Sequence, residues 1–323
     1  MKQGSFEDLN QLGKAKTPFV FFLSYDKQQL YVCSKDNWEN HPNLHFNFLG
    51  YSNNLTKGQK VKAAGKMNFQ APKKQVYKDA FAKVRAALKA GDTYLLNLTY
   101  QSHISFDEEP IDIYHRAKSK FKAFFLDKYL FFSPEKFIEI VNNTIRAYPM
   151  KGTIEANVPN AKEKLIKDLK ETAEHNTIVD LLRNDISQVA TETVVEKYRY
   201  IDKIKTHKGD ILQASSQIAA KVNSNWKSQI GSILDQLTPA GSISGAPKQR
   251  TLEIIEEIED YNRGFYTGIC GVFTGESLHT GVMIRFMEKT AEGWVFKSGG
   301  GIHHLSDCDE EYAELKQKIY LPN

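Results

Sequence analysis

Cysteine is scarce: three in 323 residues, at Cys33, Cys270 and Cys308. Their odd number and wide spacing exclude a disulfide framework and a paired-cysteine metal site, and they read as reduced thiols of a cytoplasmic protein. No run of about 18 apolar residues occurs, so no membrane span is expected. No apolar signal core follows Met1–Lys2–Gln3–Gly4–Ser5. Neither sign of charge dominates. A net charge of +4, from 43 basic and 39 acidic residues spread along the chain, leaves no nucleic-acid footprint. Internal repeats and low-complexity linkers are missing. So is the G-x-G-x-x-G dinucleotide spacing. The stretch from Gly241 to Lys248 is not a P-loop either, because Pro247 precedes its lysine and Gln249 follows.

What remains is ordinary for a globular chain: 41% apolar and 25% charged. The first sixty or so residues read as strands, with Pro18–Leu23 and Leu30–Cys33 as a hairpin and His45–Leu49 alternating. Lys57 to Lys66 reads as a basic solvated loop. Val76, Ala80, Phe81, Val84 and Leu88 recur at helical spacing and Gly91 closes that helix. Strands are expected at Tyr94–Thr99, Phe121–Phe125, Tyr129–Phe132, Phe137–Val141, Tyr198–Ile204, Ile211–Val222, Tyr266–Phe273 and Val282–Met287. Helices are expected at Pro110–Lys120, over one region begun by an Asn160–Glu163 capping box, at Lys227–Leu237, Lys248–Asp260 and Asp309–Tyr320. Strands and helices mix without strict alternation, which predicts an α+β fold.

Lys151 stands between Pro149 and Gly152. Proline stiffens the approach and glycine permits a turn or a close contact, a setting that can aim a lysine into a cleft. Glu171 and Glu174 are three apart on a predicted helix, as are Glu311 and Glu314, so each pair shares a face. Each pair alone reads as a solvated helix face. If the two helices meet, four carboxylates converge and call for a hard, oxygen-ligated cation such as Mg²⁺. Gly299–Gly300–Gly301 is either a backbone anion nest or a plain turn. Arg285, on a predicted strand, needs an anionic partner. His303 and His304 lie near the second glutamate pair with no assigned role.

Several ordered segments carry a resemblance. They run from Gly91–Asp92–Thr93–Tyr94 through Ser133–Pro134–Glu135, Ala173–Glu174–His175 and Val179–Asp180–Leu181–Leu182–Arg183–Asn184–Asp185. The stretch Pro239 to Lys248, Ile284–Arg285, Gly299–Gly300–Gly301–Ile302 and Glu311–Tyr312–Ala313–Glu314 complete the set. Together they resemble the chorismate-utilising enzymes over roughly Val76 to Tyr320. The resemblance implies one catalytic domain, 1–323, of two packed sheets flanked by helices. Its N-terminal β region, about 1–65, would be shortened.

Within that family, Lys151 and the lack of lysine in Tyr94–Thr99 resemble the aminodeoxychorismate synthase branch, which converts chorismate and ammonia to 4-amino-4-deoxychorismate for folate synthesis. Anthranilate synthase component I and a non-catalytic chorismate-binding scaffold are the alternatives. The resemblance makes Lys151 the nucleophile at C2 of chorismate and Glu135 the general acid for the departing hydroxyl. The amine must be neutral to attack, and nearby positive charge would favour that form. Glu171, Glu174, Glu311 and Glu314 resemble a Mg²⁺ site gripping the ring carboxylate. Ser242, Tyr266, Arg285, Gly299, Gly301 and Lys318 resemble substrate contacts. Gln213 stands where the family often has histidine, near the leaving group, and cannot supply a proton at neutral pH. No cysteine has a glutaminase setting, so ammonia is expected from a glutamine amidotransferase subunit.

Overall fold

The computed structural model describes residues 1–53, 65–206 and 209–322. Period-2 alternation is the plan of its interior. Along Phe19–Leu23, the side chains of Phe19, Phe21 and Leu23 enter one apolar cluster while Val20 and Phe22 enter another. A strand buried on both faces must be apolar throughout, and this one is.

Among the described residues, ten strands form the first sheet and nine the second. The first runs Lys2–Gln3, Leu30–Ser34, Phe19–Leu23, Ile269–Phe273, Leu278–Val282, Lys136–Val141, Thr144–Ala147, Gly209–Lys221, Met150–Glu155, with Thr191–Thr206 also paired to Gly209–Lys221. The second runs Gly245–Ala246, Leu95–Phe106, Gly293–Ile302, Phe286–Thr290, Tyr129–Ser133, Phe121–Phe125, Leu44–Phe48, Tyr51–Ser52, with Met67–Gln70 also on Leu95–Phe106. Every described pairing is antiparallel.

The two sheets pack face to face over aromatic rings. Phe22 of one stacks on Phe125 of the other at 4.2 Å between centroids. Gly281 lies against Phe121, where an added Cβ would sit 2.6 Å from the ring. Helices Phe6–Lys14, Leu169–Ser187 and Ile230–Leu237 cover the far face of the first sheet. Helices Lys74–Ala90, Lys248–Ile258 and Cys308–Gln317 cover one part of the second, and Pro110–Arg116 covers another. The architecture is α+β, two antiparallel sheets flanked by helices.

Several expectations change. The N-terminal stretch is not all strand: Phe6–Lys14 is a helix, opened by a Ser5–Asp8 capping box. Aspartate replaces the usual Glu or Gln there, which hid the signal. Asn160 does occupy an N-cap, but with φ 56° and no side-chain cap bond. The helical region it opens is two helices, Ala161–Lys167 and Leu169–Ser187, broken at Asp168, whose carboxylate caps the second through the Glu171 N–H. The expected strand Val282–Met287 is interrupted between Leu278–Val282 and Phe286–Thr290, and Arg285 sits in the break with φ 53° rather than on a strand. The glycines Gly299–Gly301 form neither nest nor turn; they lie inside the strand Gly293–Ile302. Of the expected loop Lys57–Lys66, residues 57–64 fall outside the described residues.

Candidate active site

Lys151 is aimed by an irregularity. The strand Met150–Glu155 pairs with Gly209–Lys221, and the register shifts between Met150 and Thr153. Such a shift breaks strict alternation and re-aims a side chain. Gly152, with φ +85°, makes it possible and leaves no room for anything larger: an added Cβ would meet Glu171 Oε2 at 2.9 Å. Lys151 Nζ ends 3.4 Å from Glu174 Oε2 and 3.3 Å from the place a Cβ on Gly301 would take.

The two glutamate pairs meet across these strands. A Cβ on Gly300 would lie 3.4 Å from Glu311 Oε2, 3.5 Å from Lys318 Nζ and 3.9 Å from Glu314 Oε1. Lys318 Nζ ion-pairs with Glu314 at 2.7 Å and donates to Gly299 O at 2.7 Å. Glu311 is buried and accepts from Ser306 Oγ at 2.8 Å. Glu174 contacts the buried ring of His303 through Oε1. The other His303 nitrogen, Nδ1, accepts from Leu305 N–H at 3.2 Å. Among the described residues no three acidic or imidazole groups crowd into a single metal-like shell. The donor set nevertheless fits a hard divalent cation. Four carboxylates face the two ammonium groups of Lys151 and Lys318, an excess of two negative charges on an all-oxygen surface.

The acid side is built around Glu135. Ser133–Pro134 breaks the chain between strands Tyr129–Ser133 and Lys136–Val141, and this leaves Glu135 outside both ladders. Ser242 Oγ donates to its Oε1 at 3.1 Å. Surrounding protein strips water from the carboxyl and pushes its pKa up, against the pull of Ser242 and of the positive charges of Lys151, Arg285 and Lys318. The two candidates are linked by contacts: Lys151 Nζ lies 3.3 Å from the place a Cβ on Gly301 would take, Gly301 pairs in register with Asn97, and Asn97 N–H donates at 2.9 Å to Ser244 O, two residues beyond the Ser242 that holds Glu135. Tyr266 is buried: burial raises its phenol, while Arg263 and Arg285 oppose that and Glu259 and Glu135 add to it. Burial lowers the Lys318 ammonium, with Arg285 and Lys151 adding to the effect and Glu314 resisting it. The protein behind Glu314 pushes its carboxyl up, but Lys318 outweighs that and holds it below the ordinary value.

Arg285 packs beside Tyr320, with Nε 3.3 Å from the hydroxyl. Gln213 lies in register with Thr153 and with Asp202, half-buried, and makes no side-chain hydrogen bond to the cleft among the described residues. Sequence reasoning gave His303 no role and left out Ser306 and Arg263. His303 contacts Glu174, Ser306 donates to Glu311, and Arg263 pairs with the buried Glu259. The sequence signal for His303 was its place near the second glutamate pair; Arg263 gave none.

Fold and cleft together define a class. The chain superposes with a TM-score of 0.73 on the menaquinone-specific isochorismate synthase MenF of Escherichia coli, at 15% identity, covering 96% of this chain and 79% of that one. It matches anthranilate synthase component I of Streptococcus pneumoniae with a TM-score of 0.69 at 24% identity, covering 81% and 60%. The family model described as chorismate binding enzyme matches residues 51–322, and the chain belongs to that family. It is 44% identical over 320 residues to an uncharacterized PabA-like protein of Haemophilus influenzae, covering 99% of this chain and 97% of the relative. It is 32% identical over 269 residues to aminodeoxychorismate synthase component 1 of Salmonella typhimurium, covering 75% of this chain and 56% of that protein. The chain thus spans about half the length of that named relative.

Proposed function

We propose that the chain is the ammonia-using component of an aminodeoxychorismate synthase, converting chorismate and ammonia to 4-amino-4-deoxychorismate. What supports this reading is a run of contacts from Lys151, which lies against Gly301, through Asn97 to the Ser242–Ser244 turn that holds Glu135. The two would supply a nucleophile and an acid for opposite ends of one displacement. Likeness to relatives named aminodeoxychorismate synthase component 1 supports it.

In the proposed reaction Lys151 attacks C2 of chorismate. Both conjugated ring double bonds shift, and the C4 hydroxyl departs as water with the proton of Glu135. Ammonia then attacks C4 and gives up a proton, both double bonds shift back, and Lys151 leaves as the amine. Ser242 keeps the Glu135 carboxyl oriented. Arg285 and Lys318 supply positive charge for the substrate carboxylates, and Tyr266, Gly299 and Gly301 line the space beside them. Glu171, Glu174, Glu311 and Glu314 would hold Mg²⁺, which supplies charge neutralisation for a bound carboxylate. Glu174 Oε2 lies 3.4 Å from Lys151 Nζ, so a carboxylate stands beside this amine.

The test is product identification. Purified chain, chorismate, Mg²⁺ and ammonium should yield a product that retains its enolpyruvyl side chain by mass, while glutamine should not replace ammonium without a partner amidotransferase. Anthranilate with stoichiometric pyruvate would assign the chain to the other branch, and p-aminobenzoate with pyruvate would reveal an added lyase step.

A further inference from the structure

Behind the cleft lies an ion pair that no step above uses. Arg263 and Glu259 are almost fully buried, with 2% and 3% of their side chains exposed, and meet at 2.7 Å. Burying two charges is costly, and such a pair adds little stability over apolar packing; what it offers is fixed geometry. The geometry here is specific. Arg263 donates through NH1 to Ile243 O at 3.0 Å and through NH2 to Asn97 O at 2.7 Å. Glu259 Oε1 accepts from Thr99 N–H and Thr99 Oγ1, both at 2.8 Å.

These anchor points border the cleft. Ile243 directly follows Ser242, the hydroxyl that holds Glu135. Asn97 pairs in register with Gly301 and Thr99 with Gly299. The Arg263 carbonyl also accepts from Tyr266 N–H at 3.1 Å and from Lys297 Nζ at 3.0 Å. A further link joins the two walls directly: Asn97 N–H donates to Ser244 O at 2.9 Å. One planar guanidinium therefore spans the turn that carries Ser242 and the strand beside the glycines. A lysine ammonium lacks this rigid planar fork.

We propose that Arg263, with Glu259 as its counter-ion, is the positioning residue of the cleft: it fixes the distance between the Ser242 turn and the glycine strand, and so the placement of Glu135 relative to Lys151. Displacement of a catalytic group by about 1 Å costs on the order of 100-fold in rate with little change in binding.

The inference rests on the chorismate reading, so the experiment carries one readout that does not. Arg263→Lys keeps the charge and loses the fork; Glu259→Gln keeps an acceptor for Thr99 and loses the counter-charge. For Arg263→Lys we expect a kcat about 100-fold below wild type, with KM for chorismate within about threefold. Amide exchange at Asn97 and Thr99 should speed at least about tenfold while the remaining core amides stay protected. Ser242→Ala should cost much less in the Arg263→Lys background than in wild type, because both act through the same contact. A folded Arg263→Lys variant with wild-type kcat, or a loss confined to KM, would overturn the proposal. So would two variants that both fail to fold, since the pair would then serve the fold rather than the cleft. If the wild-type chain does not turn over chorismate, the functional reading fails, and faster exchange at Asn97 and Thr99 alone still decides whether Arg263 holds the two walls.

Discussion

At the scale of single residues, the cleft sets charges against one another. Glu135 sits where burial resists ionisation, so its carboxyl keeps a proton to higher pH than an exposed glutamate would. A general acid works only while protonated. Turnover should therefore fall as the pH rises through this raised value, and Glu135→Gln should remove that limb and lower kcat by about 100-fold; a pH–rate series on both proteins checks it. The same shift bears on folding. A carboxyl raised in the folded state contributes stability below its unfolded pKa, and that contribution drains as the pH rises through the folded one. Lys151→Ala should lower amination with ammonium by about 1,000-fold or more, read from product formation. Activity close to wild type in that variant would dispose of the covalent route.

At the scale of elements, the approach to Lys151 is held from the first sheet. Glu139, on the strand Lys136–Val141, accepts from the hydroxyl of Tyr148, three residues before Lys151, and from Lys136 at 3.1 Å, with His279 beside it. His279 first, then Tyr148 and Lys136, hold this carboxyl down at about 2, against an ordinary 4.5. A depressed carboxylate stabilises the fold above its unfolded pKa, and that stability is lost as pH falls from 4.5 toward about 2. Glu139→Gln should then lower Tm by several degrees near pH 7, and the difference from wild type should shrink toward pH 3. A difference independent of pH would rule out the charge as its source. Between the sheets, Gly281→Val must displace the Phe121 ring. Overpacking of this kind costs about 1–3 kcal/mol, and denaturant unfolding should show a lower midpoint with an unchanged slope.

At the scale of the whole molecule, the helices Leu169–Ser187 and Cys308–Gln317 bring Glu171, Glu174, Glu311 and Glu314 toward Gly152 and the glycine strand. Their surplus of negative charge should make folding stability respond to a divalent cation. Added Mg²⁺ should raise Tm, chorismate should raise it further in the presence of Mg²⁺, and Glu174→Gln should blunt both effects. Tm unmoved by Mg²⁺ would count against the metal assignment, whatever the enzyme's turnover.

The sequence by itself determined the α+β class and most element positions, and it singled out the residues from which the cleft is proposed. These depend on periodicity, on proline and glycine punctuation and on ordered motifs, all of which are local. Lys151 between Pro149 and Gly152, and the two i, i+3 glutamate pairs, were legible for that reason. The helix at Phe6–Lys14 was not, because the phenylalanine-rich strand after it dominated the pattern and its cap used aspartate. Only the tertiary structure decided that Arg285 occupies a left-handed break, that the three glycines form a strand under Lys151 and Lys318, that His303 holds Glu174, and that Arg263 spans two walls. Each of these depends on residues tens to hundreds of positions apart arriving at one place, and long-range packing leaves no periodic trace in the chain.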